Sequence, residues 1–130
     1  MIVLDASVLV PAIADDAAAG AVARARLRAD PDLHVPHLAD LEVLSVLRRL
    51  QREGGIGGAR AAHALSDLED LPLVRCPHWP LAARIWELRE NLTPYDACYI
   101  ALAEALGCTL VTGDKKISRV SAIHCQVEIL

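Results

Sequence analysis

The 130-residue sequence has no phenylalanine and only two tryptophans and two tyrosines. That scarcity excludes a surface built to stack successive nucleobases on aromatic rings. No apolar run approaches the ~20 residues of a membrane span, and no basic segment precedes an apolar stretch as in a secretory leader. The expectation is a cytoplasmic protein with no membrane partner. The four cysteines, Cys76, Cys98, Cys108 and Cys125, make no C-x-x-C pair, which argues for buried thiols rather than zinc ligands or disulfides. His34 and His37, in HVPH, lack further ligands at finger-like spacing and read as loop residues. A basic excess is also missing: 13 Lys and Arg against 17 Asp and Glu leave a net charge of −4. A nucleic-acid role therefore has to come from a local site, not from a basic face.

What is present is a core. Hydrophobic residues make up 54% of the chain, enough for one domain over residues 1–130 without staples. Short apolar runs at MIVL, PLVRC, CTLVT and QVEIL read as strands, and DPDLHVPH as turn, short strand and turn. Between them lie helical segments: ASVLVPAIA, capped by Ser7 and disturbed at Pro11, then DDAAAGAVARARLRA, LADLEVLSVLRRLQRE, ARAAHALSDLEDL, PLAARIWELREN and TPYDACYIALAEALG. The GGIGG run follows a helix, so it reads as a C-cap and turn rather than a phosphate cradle. Strands alternating with helices, with no two-residue hairpin, predict a three-layer α/β/α domain with a mostly parallel central sheet.

In such sheets ligands bind beyond the carboxyl ends of the strands. Asp5 ends the first strand and Asp114 follows CTLVT, so both are expected at that edge. Asp96 opens a helix whose inward face carries Ile100 and Ala103. Glu42 shares a helical face with Leu38 and Val46 and has no Lys or Arg three or four residues on. Each acid also has an ordinary role open to it. Asp96 suits a capping box with Thr93, Glu42 the helix dipole, Asp114 a turn, and Asp5 a helix cap. Converging at one edge, four carboxylates would not all stay ionised without countercharge. Hard oxygen donors of that kind suit Mg²⁺ or Mn²⁺ better than zinc.

IVLDASVLV, EVLSVLRR, TPYDACYIALAEALG and LVTGDKKI, in this order and across essentially the whole chain, resemble PIN-domain ribonucleases, in particular the VapC-type toxins of toxin–antitoxin pairs. The resemblance implies a four-acid metal site at Asp5, Glu42, Asp96 and Asp114, with the hydroxyls of Ser7 and Thr112 in support. It implies Mg²⁺-dependent hydrolysis of RNA phosphodiesters leaving a 5′-phosphate and a 3′-hydroxyl, a cognate antitoxin laid across the site, and a homodimer. Many relatives carry a further acid soon after the position of Asp114, where this chain has Lys115, Lys116 and Ile117. That departure leaves one or two metal ions open.

Lys115, Lys116 and Arg119 are candidates for backbone phosphate contacts, or else an ordinary solvated loop. Two other functions compete. An aspartyl-phosphate phosphatase or phosphoacceptor would use Asp5 as nucleophile, but haloacid-dehalogenase-like enzymes have a second aspartate where this chain has Ser7. A catalytically inactive PIN-like module would bind RNA or protein without needing acids at all four positions. The apolar helices around Leu41–Leu50 and Leu81–Leu88 fit either core or interface.

Overall fold

A computed structural model describes residues 1–130. Five strands, β1 (Ile2–Leu4), β2 (Leu33–Pro36), β3 (Leu73–Cys76), β4 (Thr109–Thr112) and β5 (Val127–Ile129), form one sheet in the order β3-β2-β1-β4-β5. Every pairing is parallel, with Ile2 opposite both Leu33 and Thr109, so the sheet is wholly rather than mostly parallel. Successive strands step from β1 outward to β3, and the chain then returns to place β4 on the other side of β1. The β1/β4 boundary is thus the point where the winding direction reverses and a crevice opens at the carboxyl ends.

Six helices cover the sheet: α1 (Ala6–Ala14), α2 (Ala18–Arg28), α3 (Leu38–Arg52), α4 (Gly58–Asp70), α5 (Ala82–Glu87) and α6 (Pro94–Leu106). Helix α6 packs against β1, β2 and β4 together with α5, while α1 gathers α2, α3 and α4 around itself, completing the three-layer α/β/α fold. Parallel strands covered on both faces are apolar without alternation. Accordingly Ile2, Val3 and Leu4 are all buried, as are Leu110 and Val111. Each such side chain contributes roughly 1.5–3 kcal/mol of transfer free energy. No single helix is long and apolar enough to cross a membrane.

Several local expectations need correction. Ser7 does not cap α1; Asp5 does, accepting the Ser7 amide at 3.1 Å, and Ser7 lies inside the first turn. Pro11 does not break the helix, which runs on to Ala14. Helix α2 starts at Ala18, because Asp15 closes a turn of its own by accepting the Ala17 amide at 2.7 Å. His34 is a β2 residue rather than a loop residue, with its ring held by Asp32 at 2.8 Å. Only Cys98 is fully buried; the other thiols are partly exposed, and all four are free. Burial pushes the Cys98 and Cys125 thiols up to about 11. The glycine after α6, Gly107, adopts φ +62°, a left-handed cap that turns the chain into β4.

Candidate active site

The carboxyl edge gathers acids from four segments, and local chemistry explains how each is held. Asp5 leaves β1 with extended backbone and caps α1 through Oδ1. Its Oδ2 accepts the hydroxyl of buried Thr112 at 2.5 Å, across the β1/β4 boundary. Thr112 Oγ1 in turn accepts the amide of Asp114 at 3.0 Å. One threonine therefore ties the acids at the ends of two neighbouring strands. Ser7 completes the junction: its Oγ lies 3.4 Å from Thr112 Oγ1 and accepts the Gly113 amide at 2.8 Å. A Cβ on Gly113 would sit 3.3 Å from that Oγ, so a side chain here would press on the serine.

Asp96 and Glu42 come from helices. Thr93 caps α6 by accepting the Asp96 amide at 3.2 Å, and its hydroxyl donates to Asp96 Oδ2 at 2.8 Å. This is the ordinary capping role, and it leaves Oδ1 without a protein partner. Asp114 likewise fills a turn role, Oδ1 accepting the Lys116 amide at 2.8 Å. Glu42 lies on α3, where its Oε2 accepts the Tyr99 hydroxyl at 2.5 Å. Tyr99 was not foreseen as a site residue. It stands three residues after Asp96, and that helical spacing toward the same inward face is the signal that would have found it.

All four acids are half-buried, and none makes an ion pair with Lys, Arg or His. Burial raises the Glu42 pKa above its usual value, against the Tyr99 hydrogen bond, and the charges of Asp5 and Asp96 push it further in the same direction. Asp5 and Asp96 thus both act on Glu42. Asp96 and Asp114 line one open cleft of about 560 Å³ with Lys116. Lys115 and Arg119 are exposed and line no part of it. No three His, Cys, Asp or Glu side chains form a preassembled ligand cluster. The donor set is nonetheless all oxygen, acidic and free of basic partners, which fits a hard divalent cation.

Beside the cleft an apolar groove of about 420 Å³ runs between α3, α5 and α6. Its walls include Leu38, Trp79, Ile85, Trp86 and Tyr95. Trp79 is 81% exposed, Trp86 66% and Tyr95 62%, so three of the four aromatic side chains face outward. On α3, Leu41 and Leu44 are exposed while Leu47 is buried, so that helix supplies both core and open surface.

A sheet of this topology has counterparts among known proteins. A family model for the PIN domain matches residues 2–123. Ribonuclease VapC9 of Mycobacterium tuberculosis is 43% identical over 130 residues, spanning 100% of this chain and 98% of that protein. The crystal structure of PAE2754 from Pyrobaculum aerophilum is similar at a TM-score of 0.72 and 25% identity, over 95% of this chain and 89% of that one. VapBC2 of Rickettsia felis, solved bound to a promoter DNA fragment, gives a TM-score of 0.72 at 16% identity, over 100% and 99% of the two chains. The chain belongs to the PIN-domain family. Within it, the VapC type is its place.

Proposed function

We propose that this protein is the toxin of a toxin–antitoxin pair and an endoribonuclease that hydrolyses RNA phosphodiester bonds with the help of Mg²⁺ or Mn²⁺. The observation that carries this reading is the set of four half-buried acids at one sheet edge with no cation to pair them. Sequence relatives named as VapC ribonucleases support it. Asp5, Asp96 and Asp114 would hold the divalent ion, and Glu42 would hold a second ion or handle a proton. When bound, the cation supplies countercharge, polarisation of the scissile phosphate and activation of water.

The chain's own groups do the rest. Thr112 links the carboxylate of Asp5 to the backbone amide of Asp114 through one hydroxyl, which sets the two strand-end acids beside each other. Tyr99 holds Glu42 by Oε2, which leaves Oε1 as the atom able to receive a proton from the attacking water. Lys116, in the same cleft as Asp96 and Asp114, is placed to meet a backbone phosphate. Hydrolysis by this route leaves a 5′-phosphate and a 3′-hydroxyl and does not use the RNA 2′-hydroxyl.

The protein acts in the cytoplasm on this reading, and its exposed tryptophans support protein partners: a second copy of the chain, and an antitoxin whose segment covers the acids. The test is induced expression of wild type and Asp96→Asn, with mapping of new 5′ ends across cellular RNA and cleavage of purified RNA with and without Mg²⁺. Wild type is expected to arrest growth and cut RNA only with the metal, and the variant to do neither. Arrest that persists unchanged in Asp96→Asn sinks the reading.

A further inference from the structure

Six of the eleven arginines of this chain are tied down, and of the other five Arg28 and Arg119 stand singly while three cluster on α3. Arg26, Arg60, Arg75, Arg84 and Arg89 each pair with a carboxylate, and Arg24 donates to the Ala12 and Asp15 carbonyls. Arg48, Arg49 and Arg52 are different. All three are exposed, sit within one turn and a half of α3, and make no hydrogen bond or ion pair. They share a shallow hollow of about 420 Å³ with Ser45, Val46 and Glu53, and Glu53 is the one acid there. Three exposed guanidinium groups around one hollow, none with a partner in the protein, offer a local positive surface to an anionic one.

Their position gives that partner a direction. Glu42, Ser45, Val46, Arg49 and Arg52 follow helical spacing, so the arginines continue the stripe that begins at the site carboxylate. At 1.5 Å per residue, Arg49 and Arg52 stand roughly 10 and 15 Å along the axis from Glu42, a span that a single strand covers in a few nucleotides. The sheet order sets the other side. Helix α3 leaves β2, Asp5 ends β1, and Asp114 with Lys116 follows β4, so Asp5 stands between the arginine helix and Lys116.

We propose that the exposed face of α3 formed by Arg49 and Arg52, with Arg48 beside them, binds the phosphate backbone of single-stranded RNA remote from the scissile bond. The strand crosses the carboxyl edge from Lys116, over the acids, and onto α3. This rests on the reading of the protein as a ribonuclease and adds how the substrate is held. It also accounts for RNA binding by a chain of net charge −4: three of its unpaired cations cluster on α3, in line with the acids and Lys116, while Arg28 stands apart. Arg49 and Arg52 are positioning residues and do not touch the reacting atoms.

The experiment measures binding of a fluorescein-labelled single-stranded RNA of mixed sequence to the full chain in EDTA, as a function of salt. The proteins are wild type, Arg49→Gln/Arg52→Gln, Arg49→Lys/Arg52→Lys and Arg28→Gln, the last removing an exposed charge away from α3. The glutamine pair is expected to weaken binding about tenfold or more and to lower the slope of log K against log salt by about 1.4, at ~0.7 per lost phosphate contact. The lysine pair should retain most of the slope, and Arg28→Gln should match wild type. In cleavage assays the glutamine pair should raise KM with kcat and Mg²⁺ affinity by calorimetry unchanged. An unchanged salt slope overturns the proposal, and so does an equal loss in Arg28→Gln, which would make the effect one of net charge. A wild-type slope with self-association lost in sedimentation would assign the face to a second copy and also overturn it. If wild type cuts RNA and Asp96→Asn does not, an inert arginine pair sinks this inference alone; absence of cleavage by wild type sinks the ribonuclease reading itself.

Discussion

Glu104 and Glu42 are the same residue on two helices, both half-buried, in opposite electrostatic circumstances. In the corner between α5 and α6, Arg84 clasps Glu104 through two hydrogen bonds of 2.7 and 3.0 Å, and the His124 amide adds a third at 2.7 Å. Burial alone would raise the Glu104 pKa, yet these donors outweigh it and hold the carboxyl below its usual value. The same guanidinium reaches the Ala122 carbonyl at 2.6 Å, so the corner fastens the segment leading to β5. At the carboxyl edge Glu42 has only the Tyr99 phenol, and its pKa rises. Where a buried acid serves the fold, a cation comes with it; where acids cluster without one, the fold is bearing a charge that serves something else.

The comparison breaks most sharply on activity. Asp5→Asn is expected to lower Mg²⁺-dependent RNA cleavage by about 10²-fold or more, with the melting temperature in EDTA little changed; retained cleavage in the variant would remove Asp5 from the site. Thr112→Val keeps the volume but cuts the link between Asp5 and Asp114. Its expected effect is a roughly 10–100-fold loss of metal affinity or activity, read by calorimetry and single-turnover cleavage. Full metal affinity in Thr112→Val would reduce the threonine to packing.

Stability carries the smaller effects. Glu104→Gln is expected to destabilise by roughly 1–3 kcal/mol in urea titration at neutral pH. Its pKa is depressed in the fold, so the stability it adds is present above the usual carboxyl range and is lost as pH falls through the depressed value. Glu42→Gln should do the reverse. Because the folded pKa of Glu42 is raised, its stabilising balance holds below about its ordinary value of 4.5 and is lost as pH rises through the raised one. In EDTA, Glu42→Gln should therefore melt slightly higher than wild type at neutral pH, and the advantage should vanish near pH 4. A loss of stability at neutral pH would show that Glu42 is a structural acid like Glu104.

Much of this was legible in the sequence. The strand and helix alternation and the acids at Asp5 and Asp114 followed from apolar runs and where they stop, because a buried parallel strand leaves no alternation to misread. Helix ends were less legible. Asp5 rather than Ser7 caps α1, and one carboxylate performs both a capping and a strand-end role that spacing cannot separate. Tyr99 stayed invisible because a tyrosine on an apolar helix face reads as core until its hydroxyl is given a partner. The α3 arginines read as part of an amphipathic helix, and only their clustering around one hollow, with no partner while six other arginines have theirs, makes them conspicuous.

By itself the order of residues determined which segments are strands, which are helices, and that acids follow particular strands, since these depend on neighbours within a few positions. Which acids receive a cation and which do not was decided only when the chain folded. Electrostatic pairing depends on distance through space: Thr112 and Asp5 meet because the strand order sets β4 beside β1, and Arg84 and Glu104 meet because α5 packs on α6.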